Sequence, residues 1–259
     1  MTRRIAAGLA LLCMAVLVAG AVWRPVRAQG QPGAGEQPIY TYVALWGVPR
    51  QQWGDIEKFF KDAQPALNKL VADGTIVAWG NGRNWIHDDS GLTHLNWVTA
   101  SSFEKIKRAL DVIRDALPQP AAFSAAKHAD VMLRAPIHGA RPGASGTGML
   151  WVAEYQVKPD QMDEFSRLFE EDIKPLFDEQ IAAGSILSYS LYFQAVHSGP
   201  GGTVTITYVL PDAAAIDKFQ AALAAYGEKH PETGPAMQAT MDITAHRDYV
   251  YELINFAQK

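Results

Sequence analysis

The sequence predicts an α+β protein in which one unit, ordered β-α-β-β-α-β, is used twice in tandem. Three observations predict it. The chain repeats itself: Tyr42-Val-Ala-Leu-Trp46 returns as Trp151-Val-Ala-Glu-Tyr155, and Ala72-Asp-Gly-Thr-Ile76 returns as Ala182-Ala-Gly-Ser-Ile186. Within each copy, hydrophobic residues recur with period two in some segments and at three- and four-residue spacing in others. A stretch rich in Gly, Pro, Ala and Ser, from Arg134 to Gly148, reads as a loop joining the copies.

The elements follow in order. Residues 40–48 and 149–157 alternate as strands, with Tyr42, Ala44 and Trp46 on one face of the first and Trp151, Ala153 and Tyr155 on the matching face of the second. A helix comes next in each copy. Its apolar stripe is Trp53, Ile56, Phe60, Ala63, Leu67 and Leu70, then Met162, Phe165, Phe169, Ile173 and Leu176. The step between copies is 109 residues before this helix and 110 after it, so one residue has been inserted within it. Gly74 and Gly184 stand where a left-handed helix end is expected. Second strands at 75–87 and 185–197 lead through Gly-bearing hairpins to third strands at 92–99 and 203–210. Ser101 or Ser102, and Asp212, are placed to cap a second helix. Last strands at 129–136 and 246–255 close the copies.

This order resembles the ferredoxin-like fold, and the tandem pair with a long last strand resembles the dimeric α+β barrel superfamily, of the antibiotic-biosynthesis-monooxygenase and EthD type. The resemblance covers residues 39–255 and rests on element order and duplication. It implies two antiparallel sheets facing each other as a barrel within one chain. It also implies ligands held inside the barrel or between sheet and helices, and a last strand of one unit reaching the second strand of the other.

The expected organisation is a signal peptide over residues 1–28, a flexible lead-in over 29–38, a first repeat over 39–136, a linker over 137–147 and a second repeat over 148–259. Arg3 and Arg4 precede an apolar run from Ile5 to Trp23, and Val26-Arg27-Ala28 ends on a small residue. An uncleaved membrane anchor is the alternative, because the run approaches the length that spans a bilayer. The expected location is periplasmic or extracellular. The only cysteine, Cys13, lies in this leader, so the remaining chain offers no thiolate chemistry and no cysteine metal site. The leader carries four arginines and no acid, so the net charge moves from −4 for the whole chain to −8 without it. That balance, with no lysine/arginine run, argues against nucleic acid and against anionic lipid as partners. The expected state is a monomer with an internal pseudo-dimer, free to self-associate further, and without stable membrane association after cleavage.

Four histidines recur between copies. His87 falls on His197, and His128-Ala-Asp130 falls on His246-Arg-Asp248. Strand exchange would bring His128 toward His197 and His246 toward His87. Neutral imidazole serves as a base or a metal ligand, and a carboxylate can orient it. His87 and His197 are therefore candidate catalytic bases, and His128, Asp130, His246 and Asp248 candidate metal ligands. The competing reading is that strand-end histidines bond to backbone or solvent and recur only because the unit was duplicated. A second constellation is aromatic. Trp79, Asn81, Arg83 and Trp85 share a face with His87, and Tyr189 and Phe193 share one with His197. With Trp46 and Tyr155, they would line an interior pocket if those faces point inward, although burial as core is the commoner use of large rings. Glu154, on the opposite face of its strand, is expected at the helices or the rim. Gly80 and Gly82 within a strand suggest a bulge or a close approach, which makes copy one the more open half. No nucleophile elbow, phosphate loop or dinucleotide fingerprint occurs. The functions left open are an exported small-molecule-binding protein of unknown ligand, a cofactor-independent monooxygenase or related enzyme, and a histidine-dependent metal or haem binder. The cofactor is unassigned.

Overall fold

A computed structural model describes residues 38–86 and 90–259. The leader and His87 lie outside the described residues. The first repeat contains β1 (Ile39–Gly47), α1 (Trp53–Ala72), β2 (Ala78–Asn84), β3 (His94–Ala100), α2 (Phe103–Ala116), α3 (Ala121–Ala125) and β4 (Lys127–Ala140). The second contains β5 (Ser145–Val157), α4 (Met162–Leu168), a π-helical turn (Phe169–Ile173), α5 (Lys174–Ala183), β6 (Ser188–Gln194), β7 (Thr203–Leu210), α6 (Ala213–Lys229), α7 (Thr233–Ala239) and β8 (Met241–Gln258).

The eight strands close into one antiparallel barrel in the order β1-β3-β2-β8-β5-β7-β6-β4. Each repeat supplies a four-stranded sheet of order 4-1-3-2, and the two sheets are joined by their last strands. Ala78 of β2 lies opposite Gln258 of β8, and Ala140 of β4 lies opposite Ser188 of β6. The exchange implied by the resemblance is thus present, and it leaves the sheet without free edges. Neighbouring strands are antiparallel all round, so strands four places apart run the same way. β1 and β5, like β3 and β7, are four places apart. The repeats are therefore related by an approximate twofold along the barrel axis, and matching residues face each other across the interior.

Local signals fold as the sequence reading expects. Ser102 accepts from the Lys105 amide and Asp212 from the Ala215 amide, each satisfying a free donor at a helix start. Gly184 adopts φ 75° at the end of α5. The inserted residue appears as the π turn between α4 and α5, which absorbs one extra position while keeping both apolar stripes on the sheet. Two expectations change. The stretch expected to be a linker is mostly strand: β4 runs on to Ala140, β5 starts at Ser145, and only 141–144 turn. Gly148 is glycine for a packing reason, since a Cβ there would stand 2.4 Å from the Leu210 carbonyl oxygen. The short helices α3 and α7 are too brief to carry a readable period.

Helices cover the outer face of the barrel. Leu67, Leu70, Ile76, Trp79, Val98 and Ile106 form one core, and Phe165, Phe169, Phe177, Ile186, Tyr208 and Phe219 form another. Each fully buried side chain of this size contributes roughly 1.5–3 kcal/mol.

Inside the barrel, Gly80 lies opposite Trp97, and a Cβ on Gly80 would stand 2.0 Å from the indole Cη2. Gly82 sits at the register shift of β2 against β8. Gly80→Ala is expected to lower stability by about 1–3 kcal/mol through overpacking. The same change in a Trp97→Thr background should cost much less, because the indole is gone. Urea denaturation of the single and double variants checks this coupling.

Candidate functional site

The barrel encloses a cavity of about 480 Å³. Alternate residues of the first and third strands of each repeat build much of it: Thr41, Val43 and Leu45 from β1, Leu95, Trp97 and Thr99 from β3, and Leu150, Val152 and Glu154 from β5. β7 adds Thr205, Thr207 and Val209, and β6 adds Ser188, Ser190 and Tyr192. The wall is mainly apolar, with a few convergent polar groups, the composition that holds small molecules. At one level Thr41 Oγ1 donates to the Tyr192 hydroxyl at 3.1 Å and lies 2.9 Å from Thr99 Oγ1.

Two polar groups in this wall stand out, an unpartnered imidazole nitrogen and a partly desolvated carboxyl. His138 lines the cavity, and its Nε2 is buried with no hydrogen-bond partner among the described residues. Glu154 lies opposite Thr205 on one side and Arg247 on the other. Burial pushes its carboxyl above the usual carboxylate range, against the opposing pull of Arg247 and a hydrogen bond with Tyr249. Glu154 therefore faces the interior, contrary to the expectation of a helix-facing or rim position.

The face expected to point inward points outward, at the helices. Trp79 Nε1 donates to Asn68 Oδ1 on α1 at 3.2 Å. Asn81 donates to Asn255 at 2.7 Å, and Asn255 in turn bonds the Phe60 carbonyl of α1 at 3.3 Å. Arg83 is held between Glu57 of α1 at 2.9 Å and Glu252 of β8 at 2.5 Å. The Tyr189 hydroxyl donates to Asp178 of α5 at 2.6 Å, and Phe193 packs in the core of the second repeat. Trp79 and Tyr189 still contribute to the cavity wall. Trp85 lies beyond the end of β2 and is 55 % exposed. Alternation divides a strand into two faces but does not say which is inside. The discriminating signal was on α1 and α5, where Glu57, Asn68 and Asp178 are polar partners waiting on the sheet-facing side. The more open half is also reversed, because Trp97 takes the room that Gly80 leaves, whereas the matching pair is Ser190 and Thr207.

The recurring histidines form two matching rim constellations. His128 stacks on Trp46 at 3.8 Å with 11° between planes, and its Nε2 lies 2.9 Å from Asp130, which also accepts from the Tyr42 hydroxyl at 2.5 Å. His246 stacks on Tyr155 at 4.4 Å and lies 3.3 Å from Asp248, which accepts from Trp151 Nε1 at 2.7 Å. Burial and the Asp248 charge push the Tyr155 hydroxyl up to about 12. The contacts of each pair are with the first strand of its own repeat. Among the described residues no three His, Cys, Asp or Glu side chains converge as a metal site. His128, Asp130, His246 and Asp248 are each tied to an aromatic partner and remain partly exposed at the rim. His197 is exposed beyond β6, away from the interior.

Sequence reasoning passed over His94. Its ring is buried edge-on to Trp53 at 5.3 Å, with Nδ1 2.9 Å from Thr93 Oγ1. Burial, with the nearby Arg83 charge, lowers it from 6.5 to about 4. The unfolded chain takes up this proton near the ordinary value and the folded chain does not. Stability is therefore full above about pH 6.5 and falls as the pH drops toward 4, by roughly 3 kcal/mol in all. Urea midpoints measured across that window should decline less steeply for His94→Gln than for the wild type.

The architecture matches that of a candidate monooxygenase from Fusobacterium nucleatum subsp. nucleatum with a TM-score of 0.62 and 10% identity, over 87% of this chain and 96% of that one. A candidate monooxygenase from Lactobacillus acidophilus matches at 0.59 and 11% identity, over 86% of this chain and 97% of that one. No family model matches the sequence, and no curated protein matches it. At such low identities the likeness is one of fold: the chain is a closed α+β barrel built within a single polypeptide from two ferredoxin-like repeats.

Proposed function

We propose that this protein binds a small, mainly apolar molecule inside its barrel, one molecule per chain, after export directed by the leader. The observation that carries the reading is the 480 Å³ interior cavity with an apolar wall and sparse polar groups. A mainly apolar cavity of that size gains from being filled by an apolar molecule, because the lining is then removed from water. The solved structures of the same fold support the reading to the extent that candidate monooxygenases act on small molecules.

A second reading is a cofactor-free enzyme working in the same cavity. The observation that favours it is the interior carboxyl of Glu154, held toward its neutral form by burial and so suited to exchange a proton with a bound molecule. In this reading Glu154 takes the part that the sequence analysis gave to His87 or His197.

The test uses N-phenyl-1-naphthylamine, a neutral fluorescent probe. Wild type should bind it at one site per chain. Ser190→Gly combined with Thr207→Trp copies the Gly80 and Trp97 pair into the other half, an arrangement this fold already accommodates. That variant should fold normally and bind the probe at least about ten-fold more weakly, since an indole then occupies the open space. Undiminished binding would rule out the interior as the site.

A further inference from the structure

The duplication gives the interior an internal control. A symmetric barrel would present two equal half-walls across the twofold. The registers allow the comparison position by position. Gly80 lies opposite Trp97 on one side and Phe256 on the other. The matching residue, Ser190, lies opposite Thr207 and His138. Leu45 opposite Leu95 is matched by Glu154 opposite Thr205. At these levels one half-wall is aromatic and aliphatic, and the half facing it carries hydroxyl, imidazole and carboxyl groups.

We propose that the occupant of the barrel is an alcohol with a compact hydrocarbon body, bound in one orientation, its hydroxyl at His138, Ser190 and Thr207 and its body against Trp97 and Phe256. The proposal rests on the reading of the cavity as the binding site. Three features of the wall lead to it. His138 lines the cavity, and its shielded Nε2 has no partner among the described residues. A hydroxyl satisfies that nitrogen in either tautomer, donating to it or accepting from it, whereas a carbonyl can only accept. Ser190 and Thr207 can rotate their hydroxyls to complete the remaining bond. Trp97 and Phe256 themselves offer no acceptor, so a hydroxyl placed against those two rings would be left unpaired. One polar end and one apolar end also explain how a duplicated barrel has one site where symmetry would give two.

Displacement of N-phenyl-1-naphthylamine by borneol and by bornane, its hydrocarbon counterpart, tests this. Borneol should displace the probe from the wild type at a lower concentration than bornane. His138→Phe, which copies Phe256, should shrink that preference, read as the ratio of the two displacement concentrations, by about ten-fold, the size expected for loss of one hydrogen bond to a buried group. Ser190→Ala with Thr207→Val should shrink the preference in the same direction, and it preserves side-chain volume if His138→Phe folds poorly. A preference that survives both variants, or equal displacement by the two compounds in the wild type, overturns the alcohol assignment while the cavity stands as the site. Failure of both compounds to displace a bound probe, with the probe insensitive to the indole-filled variant, overturns the cavity reading and this inference together.

Discussion

Barrel closure through the exchanged last strands is the constraint on which the rest depends. β8 pairs with β2 of the other repeat on one side and with β5 of its own on the other, and β4 does the same between β6 and β1. Without those two ladders each repeat would be an open four-stranded sheet with two unpaired edges and an interior face in water. With them, the interior faces of both sheets become one enclosed wall. The cavity is therefore a property of the pair of repeats, and the length of β4 and β8 serves the fold before it serves any ligand. That explains why the stretch between repeats is strand on both sides of a four-residue turn, since residues placed there as a slack linker could not complete the ladders.

Most polar groups on the outer face of the wall are paired, the Nε2 of His94 against α1 being an exception. Arg83 is held between Glu57 and Glu252, Asn81 reaches α1 through Asn255, and Tyr189 is anchored to Asp178. A buried polar group without a partner costs more than the bond it would have made. Groups this well paired therefore hold helices on sheet. The rim constellations belong with them. Both copies keep a histidine stacked on a ring and an aspartate receiving a ring donor, although the rings have traded places: Tyr42 and Trp46 in one copy, Trp151 and Tyr155 in the other. Geometry that survives an exchange of residue types is geometry the fold needs.

This reverses an intuition that is natural from the sequence. Recurrence drew attention to His87, His197, His128 and His246, yet the described members of that set sit outside the interior. In a duplicated protein, what both copies keep is what closing and covering the barrel requires, and what the copies no longer share is free to specialise. The element order, the caps at Ser102 and Asp212 and the inserted residue that became a π turn were all legible, because each is a local rule acting on neighbouring residues. The orientation of the strands was not. Period-two alternation is unchanged when the two faces are exchanged, and rings as large as Trp79 and Tyr189 suit a helix-covered core as well as a pocket. Besides the polar partners on α1 and α5, a clue in the sequence was Glu154, one acid in an alternation otherwise filled by Leu150 and Val152.

Glu154 also bears on why the interior diverged as it did. Its twofold mate is Leu45, so an apolar solution to that position exists in the same fold and the same chain. Burial holds the Glu154 carboxyl above its usual range. A carboxyl raised in the folded state favours folding where it is protonated and counts against folding as the pH rises past its unfolded value, so near neutrality it is a standing cost. A leucine there would remove that cost. The same holds for His138, whose buried Nε2 has no partner among the described residues while its mate Phe256 needs none. Two positions in one half-wall have thus given up stability that the other half-wall retains, and both face the enclosed space. Packing does not ask for either of them. The proposed occupant of the barrel supplies a reason for both.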